Sequence, residues 1–300
     1  MLSDHEVQIA DSDYGKNYVK LLKVRREGRV HHVQELEINT ALTLSSKKDY
    51  LRGDNTDVIA TDSQKNTCYI LAKQNGIDTI EVFAQILANH FLTKYPWVVK
   101  ANIHIEQAPW KRIQQGGREH VHAFISSPEC IRFCDVIQEK HGVPKVSAGL
   151  KGMKILKTTA SSFVNFVDDE YRILPDMNDR IFCTVVQAKW DYSTTEGLAY
   201  CNSWSAVKSA ILDKFAGPPD QGLFSPSVQH TLYLAQKQAL SKVPQISRIE
   251  LVLPNVHAYK FDFSKFTKLG ITDNNEIFQP ADKPSGNIRA VLERNVKSRL

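Results

Sequence analysis

Two short segments place hydroxyl, amide and charged side chains at the start of a predicted helix. In DVIATDSQKNT (57–67) an apolar run gives way to a helical pattern, and Thr61 with Gln64 fits the S/T-x-x-E/Q capping box. In the second half of the chain, Ser225, Pro226 and Gln229 occupy the cap, first position and first turn of another predicted helix. Helix N-termini also present free N–H groups and a partial positive charge, which suit an anion with carbonyl oxygens. Each segment therefore fits either a helix cap or part of an anion-binding site.

Motifs for cofactors and metals are scarce in this sequence. It contains no G-x-G-x-x-G opening a helix, no P-loop, no H-E-x-x-H and no nucleophile elbow, so a nucleotide cofactor is not indicated. His120 and His122 share one face of a predicted strand, and His31 and His32 are adjacent. Such histidines are typical of polar strand residues, and a metal site is not favoured.

The composition is that of an ordinary globular protein. Of the 300 residues, 42% are apolar and 24% charged, and no apolar run is long enough to cross a bilayer. The formal charge of +5 comes from 38 basic and 33 acidic residues, without a block of like charges. We therefore expect no membrane span and no nucleic-acid partner, although a mildly positive surface would favour a small anion.

The cysteines and the two termini indicate the compartment. The five cysteines are irregularly spaced and include no C-x-x-C pair, so we expect buried, reduced thiols. The N-terminal residues show no signal segment, and an intracellular protein is expected. Ser298, Arg299 and Leu300 match the S-K-L type of peroxisomal address, with arginine in place of lysine. The sequence thus predicts import into peroxisomes.

The elements that must position these residues follow the same order in both halves. Residues 18–27 and 33–44 alternate as strands do, helices follow from Thr61 to Gly76 and over 77–96, and further strands are predicted at 97–110, 120–127 and 130–139. In the second half the predicted strands are 152–160, 180–192, 246–254 and 258–263, and the predicted helices are 203–217 and 225–243. Each half is therefore interpreted as β-β-α-α-β-β.

This repeated order predicts an α+β fold built from two similar units. Glycine and proline in HGVP (141–144) favour a boundary there, giving a first unit over 1–142 and a second over 143–300. Antiparallel strands with both helices on one face leave open sheet edges, which proteins avoid exposing. We expect neighbouring subunits to cover those edges.

Ten separated segments, in order along essentially the whole chain, resemble the urate oxidase family. The combination of TDS-x-KNT, SPSVQ and LPN-x-H is highly specific. The segments are YGKNYVK (14–20), TLSSKKDYLRGDN (43–55), DVIATDSQKNT, HVHAF, LKTTASSFVNF (156–166), NDRI (178–181), KFAGP (214–218), SPSVQ (225–229), LPNVH (253–257) and the terminal SRL.

This resemblance implies a fold, an assembly and a reaction. Urate oxidases have the tunnelling fold, with two β-β-α-α-β-β units per subunit, and form homotetramers whose sheets close into barrels. Without metal or organic cofactor, they oxidise urate with dioxygen and water to 5-hydroxyisourate and hydrogen peroxide. A peroxide product agrees with a peroxisomal address.

The resemblance also implies which residues bind urate. Arg180 and Gln229 would grip opposite ends of the ring system, because a guanidinium fork matches an oxyanion and an amide offers a donor with an acceptor. Phe163 would stack on the purine plane. Leu174 and the backbone N–H of Val228 would lie at the ring edge.

A second group would carry the chemistry. Lys16, held against Thr61, would take a proton from urate through the threonine hydroxyl, since burial favours the neutral form of a lysine. His257 would complete this relay through water. Asn255 would bind dioxygen or peroxide above the ring, together with Thr61. The family implies that Asp62 contacts the ligand or positions Thr61.

In this family the Thr-Asp pair comes from the adjacent subunit, so Thr61 and Asp62 are expected to meet Lys16, Arg180 and Gln229 across an interface. One departure is Ala258, where the family usually carries an aromatic residue, and it bears on packing of the substrate pocket.

Two alternatives remain open. One is a related zinc-dependent enzyme of the same fold that hydrolyses pterins, which predicts a Cys and His ligand set. The other is a urate-binding member of the family that has lost activity, since a protein can keep its ligand pocket after it has lost catalysis.

Overall fold

The computed structural model describes residues 7–271, 273–281 and 283–295, so Ser298, Arg299 and Leu300 lie outside the described residues. The chain forms two compact units. The first unit comprises Met1–Gly149 with Asp191–Asn202, and the second comprises Leu150–Trp190 with Ser203–Leu300. The end of the first stretch, at Gly149, falls seven residues beyond the predicted boundary at 142. The segment Asp191–Asn202 also belongs to the first unit, which the sequence did not predict.

Eleven strands and five helices are defined within the described residues. The strands are β1 Tyr14–Glu27, β2 Val30–Leu44, β3 Val98–Gln107, β4 Trp110–Gln115, β5 Arg118–Ser126, β6 Ile131–Glu139, β7 Lys145–Lys157, β8 Phe182–Tyr192, β9 Ile246–Lys260, β10 Phe278–Ala281 and β11 Asn287–Glu293. The helices are α1 Lys48–Arg52, α2 Thr61–Asn75, α3 Ile80–Lys94, α4 Tyr200–Ala216 and α5 Val228–Lys242, and a 3-10 helix covers Ser264–Leu269. These elements confirm the α+β class.

In the first unit, β1, β2, β3 and β6 lie side by side as antiparallel neighbours. The predicted strand over 97–110 is too long, because β3 ends at Gln107 and β4 begins a separate hairpin with β5. Gly116 and Gly117 form the turn of that hairpin with φ of 57° and 72°, a conformation that glycine adopts without steric cost.

In the second unit, β9 lies beside β8 and pairs antiparallel with β10 and β11. The prediction of separate strands at 246–254 and 258–263 is wrong, because β9 runs through Pro254. That proline lies opposite Asn287 at the end of the pairing with β11, a position where a missing N–H is tolerated. Strands β10 and β11 were not predicted.

The core of each unit forms where helices cover one face of a sheet. In α3, Ile80, Phe83, Leu87 and Phe91 recur every three or four residues and are almost fully buried. Burying side chains of this size stabilises a fold by about 1.5–3 kcal/mol each. In the second unit, the buried residues of α5 and β9 include Leu232, Ala235, Ala239, Ile249, Leu251 and Leu253.

The cysteines follow the predicted pattern with one exception. Cys68, Cys130, Cys134 and Cys183 are buried, whereas Cys201 is exposed. Burial raises the pKa of Cys68 to about 12 and also raises the pKa of Cys134 and Cys183 above the usual thiol value.

Among the described residues, no helix combines the length and apolar character that a membrane crossing requires.

His104 on β3 bridges two carboxylates on the sheet of the first unit. Its Nδ1 lies 2.7 Å from Asp135 Oδ1 and its Nε2 lies 3.1 Å from Glu106 Oε1. The hydrogen bond to Asp135 raises the pKa of His104 most, Glu106 adds to this effect, and burial opposes it. Protonated His104 therefore contributes to folding stability.

We expect the His104→Gln substitution to make the free energy of unfolding less dependent on pH. The native pKa of His104 is raised, so its contribution is fully present below the unfolded value of about 6.5 and disappears as pH rises through the higher native value. Urea unfolding of both proteins from about pH 5.5 to about pH 8.5 measures this difference. A constant difference over that range would contradict the assignment.

Candidate functional site

The second unit contains a cavity of about 550 Å³ that brings three predicted site residues together. Leu174, Arg180 and His257 all line it. Ala258, the departure noted in the sequence, also lines this cavity, beside Tyr259. The volume lies within the range of small-molecule binding sites.

Residues 160–163, here named the central segment, hold one wall of the site through backbone hydrogen bonds. Phe163 exchanges two bonds with Met177, of 2.8 and 2.9 Å. The N–H of Arg180 donates to the Ser161 carbonyl at 2.8 Å. Asp179 supports the same segment, since its carboxylate accepts bonds from the Ser161 N–H and the Thr159 hydroxyl. Phe163 and Arg180 are thus fixed relative to each other.

The other edge of the central segment bonds to the turn before α5. The N–H of Ser225 donates to the Ala160 carbonyl, and the N–H of Ser162 donates to the Ser225 carbonyl, each at 2.9 Å. Ala160 has φ of 58°, the left-handed conformation that costs a non-glycine residue free energy. The start of α5 is therefore tied to the same four residues as Arg180.

Arg180 is a cation without an anionic partner among the described residues. Its guanidinium carbon lies 5.2 Å from the centre of the Phe163 ring, and its buried Nε has no hydrogen-bond partner. Burial lowers the pKa of Arg180, but an arginine remains charged at neutral pH. Because a desolvated cation is costly alone, this group favours binding of an anion in the cavity.

Phe163 belongs to a stack of side chains. Its ring lies parallel to that of Phe166, with centroids 4.5 Å apart and an interplanar angle of 10°. The guanidinium of Arg172 covers Phe166 at 4.0 Å from its centroid. A ligand that stacks on Phe163 must therefore use the face opposite Phe166.

The start of α5 differs from the prediction. Ser227 is the N-cap, and its hydroxyl accepts a hydrogen bond from the His230 N–H at 3.1 Å. The prediction of Ser225 as the cap is wrong, because its buried hydroxyl accepts instead from Thr231 Oγ1 and Lys157 Nζ, each at 2.7 Å. Val228 and Gln229 are then the first two residues of the helix, with Val228 buried and the Gln229 side chain exposed.

Lys157 anchors this turn and was missed in the sequence, where it reads as an ordinary strand lysine. Its ammonium donates to the Leu223 carbonyl and to Ser225 Oγ, both at 2.7 Å. It also lies 5.9 Å from the Phe182 ring and 5.6 Å from the Phe215 ring. Burial lowers the pKa of Lys157, and the Asp179 carboxylate acts in the opposite direction. Lys157 is thus a half-buried support beneath the turn.

Asn255 and His257 lie near the end of β9. The Asn255 N–H donates to the Gly286 carbonyl at 2.8 Å, and His257 pairs with Ala281 of β10. The His257 and Tyr259 rings stack with centroids 5.8 Å apart. Two strands therefore hold the β9 residues that the sequence assigned to dioxygen and proton transfer.

The remaining predicted residues lie in the first unit. Lys16 sits at a β-bulge, where the register of β1 and β2 shifts between Lys16 and Val19. Gly15 permits this close approach, since a Cβ there would lie 1.6 Å from the Thr40 carbonyl oxygen. Bulges of this kind redirect a side chain. No other side chain within the described residues hydrogen-bonds the Lys16 ammonium.

The capping box predicted for α2 is wrong. Ala60 is the N-cap and no side chain caps the helix. Gln64 is fully buried, so its amide cannot reach back to the helix start and instead bonds to Thr40 Oγ1 and the Ile59 carbonyl. The Thr61 hydroxyl makes no hydrogen bond within the part of the chain that the structure describes. It is therefore available to a ligand.

Asp62 lies in the first turn of α2, where its carboxylate accepts bonds from Lys65 at 2.6 Å and Asn66 at 3.0 Å. Lys65 lowers the pKa of Asp62 most, and the charge of Lys16 also contributes. Lys16 thus lies near Asp62 of its own chain. The expectation that Lys16 meets Thr61 and Asp62 across an interface is corrected in this respect.

Two groups of site residues are therefore present. Lys16, Thr61 and Asp62 belong to the first unit. The second unit contains Phe163, Leu174, Arg180, Val228, Gln229, Asn255 and His257. Across the described ranges, no group of three or more His, Cys, Asp or Glu side chains could hold a metal ion.

Comparison with known proteins assigns the family. A profile of the Uricase family matches residues 12–137 and 146–289. The chain belongs to the uricase family. Among its uricase relatives, the protein of Drosophila melanogaster is 47% identical over 99% of this chain and 92% of its own length. Uricase of Danio rerio is 45% identical over 99% of both chains.

A solved uricase structure supports the same assignment. The enzyme of Arthrobacter globiformis is 32% identical and has a TM-score of 0.89 over 97% of this chain and 96% of its own. The uricase of Bacillus fastidious, with 20% identity and a TM-score of 0.79, supports the fold alone.

We expect Lys157→Met to lower the free energy of unfolding by about 2 kcal/mol, because it removes two hydrogen bonds from a charged donor. Lys154→Met is the matched control, since it removes an exposed lysine from the same strand and should change stability by about 0.5 kcal/mol or less. Guanidinium chloride unfolding at one protein concentration compares both. Equal effects of the two substitutions would exclude the anchoring role.

Proposed function

We propose that this protein oxidises urate with dioxygen and water to 5-hydroxyisourate and hydrogen peroxide. The observation that carries the proposal is Arg180, a half-buried guanidinium without a carboxylate partner among the described residues, beside an aromatic ring in a cavity of suitable size. Urate is a planar anion at neutral pH. Membership of the uricase family over nearly the whole chain supports this substrate.

The second unit supplies the binding groups. The Arg180 fork pairs with carbonyl oxygen on one side of urate, and the exposed amide of Gln229 pairs with the opposite edge. Phe163 offers its face opposite Phe166 to the purine ring. The Val228 N–H, at the first position of α5, and the Leu174 side chain border the ring.

The first unit supplies the base. Lys16 takes a proton from urate through the Thr61 hydroxyl, which leaves an electron-rich dianion. The dianion passes two electrons to dioxygen, which leaves as hydrogen peroxide after gaining two protons, and water adds to the oxidised ring. Asn255 and Thr61 hold dioxygen or peroxide above the ring, and His257 passes protons through water. Asp62 keeps Thr61 oriented at the helix start.

The two groups of residues are brought together by assembly. We infer two tandem tunnelling-fold units and a homotetramer in which the first unit of one subunit completes the cavity of another. Support comes from β1, which ends the order of strands and exposes Tyr18 and Leu22 by 71% and 63%. An edge strand with exposed apolar side chains favours cover by a second chain.

The proposed location is the peroxisome. Ser298, Arg299 and Leu300 form the candidate address that an import receptor would bind. The peroxide product supports this compartment, where it can be removed close to its source.

Urate oxidation tests the function directly. Purified, chelator-treated protein in aerated buffer should consume urate, followed by its ultraviolet absorbance, with one dioxygen used and one peroxide formed per urate. A tetramer that binds xanthine without turning over urate would support the inactive alternative. Bound zinc together with pterin hydrolysis would support the alternative of a zinc-dependent enzyme of the same fold.

Arg180→Ala is expected to raise the KM for urate by about 10-fold to 100-fold, because the paired charge-assisted hydrogen bonds are lost. Arg289→Ala, which removes an exposed arginine paired with Glu250, is the matched control and should leave KM unchanged. Steady-state kinetics distinguish the two. Normal urate affinity in Arg180→Ala would remove this residue from the site.

Lys16→Met is expected to lower kcat by about 100-fold or more while the dissociation constant for xanthine stays within about threefold, since the base is lost but the binding groups remain. Lys20→Met, at an exposed position on the same strand, is the control. Turnover and equilibrium binding are measured on both variants. An unchanged kcat in Lys16→Met would refute the base role.

A further inference from the structure

A buried polar pair connects the two segments that carry Lys16 and Thr61. Thr40 on β2 is 1% exposed and Gln64 on α2 is fully buried. The Thr40 hydroxyl donates to Gln64 Oε1 at 2.7 Å. We name this pair the Thr40–Gln64 bridge.

Each end of the bridge reaches the backbone of a predicted catalytic segment. Thr40 Oγ1 accepts a hydrogen bond from the Lys16 N–H at 3.2 Å, at the position where β1 bulges. Gln64 Nε2 donates to the Ile59 carbonyl at 3.2 Å, two residues before Thr61. One continuous chain of hydrogen bonds thus runs from the Lys16 backbone to the start of α2.

A second contact fixes the same point independently. The Ile59 N–H donates to the Tyr14 hydroxyl at 2.8 Å, and Tyr14 lies on β1 two residues before Lys16. Ile59 is therefore held through both its N–H and its carbonyl. Two separate hydrogen bonds of Ile59 therefore set the position of the α2 start relative to β1.

The polar side chains of the bridge hold two backbone segments at once. Ile38 and Leu42 share the buried face of β2 with Thr40, but an apolar pair in place of Thr40 and Gln64 would remove the partners of the Lys16 N–H and the Ile59 carbonyl. Satisfied polar networks add geometric definition, because each group has few acceptable partners.

We propose that the Thr40–Gln64 bridge is a positioning device that sets the Lys16 side chain relative to the Thr61 hydroxyl for proton transfer. This inference rests on the proposed function. Proton transfer requires heavy atoms about 2.6–3.2 Å apart, and a displacement of about 1 Å can cost about 100-fold in rate. Neither bridge residue needs to touch urate.

Thr40→Val and Gln64→Met test the bridge. Each should lower kcat by about 10-fold or more while KM for urate stays within about threefold, because binding groups in the second unit are untouched. Thr40→Ser keeps the hydroxyl and should retain most of the activity. Equal loss in Thr40→Ser and Thr40→Val would overturn the inference.

The decisive comparison adds Lys16→Met. If the bridge acts through Lys16, Gln64→Met should lower kcat no further in a Lys16→Met background. A full additional loss in that background would show a general structural effect and overturn the inference.

Amide hydrogen exchange gives a readout without turnover. In Thr40→Val the Lys16 N–H loses its acceptor, so it should exchange faster than in the wild type and in Thr40→Ser. Unchanged exchange would overturn the bridge. An inactive wild type would overturn both the proposed function and this inference, whereas an active wild type with normal kcat in Thr40→Val and Gln64→Met would overturn only the inference.

Discussion

The site in the second unit depends on the shared backbone of the central segment. Residues 160–163 lie outside the long strands, yet their buried peptide groups still require hydrogen-bond partners. Met177 and Arg180 supply them on one edge and Ser225 on the other. The aromatic platform, the guanidinium and the start of α5 are therefore positioned by the same four residues, and a shift in any one of the three segments displaces the other two.

The electrostatics of the cavity follow from where the acidic groups point. Asp179 is adjacent to Arg180 in sequence, but its carboxylate is occupied by the Thr159 hydroxyl and backbone N–H groups. Those bonds lower the pKa of Asp179 and keep it away from the guanidinium. The positive charge of Arg180 is thus left for a ligand. An anionic substrate offsets the desolvation of the Arg180 guanidinium.

The sequence predicted the type and order of most elements because their periodicity reflects burial on one face. It also supplied the candidate ligand-binding and proton-transfer residues, through motifs that resemble one family, but not the supporting Lys157. Local geometry was harder to predict. The turn between β1 and β2 sets a register that, if extended, would place Asn17 opposite Thr40, and only the bulge brings Lys16 there. Gln64 and Ser225 fit capping patterns, yet burial gave both side chains other partners. Such outcomes depend on tertiary contacts, which a local pattern does not contain.

The thiols have a consequence for a protein that would release peroxide with every turnover. Peroxide oxidises the thiolate far faster than the protonated thiol. Burial holds Cys68, Cys134 and Cys183 in the protonated form, which shields them from their own enzyme's product. Cys201 is exposed, and the Arg132 guanidinium lies 3.3 Å from its sulfur. Oxidation of thiols in this protein would therefore begin at the exposed Cys201, while the buried thiols stay reduced over many turnovers.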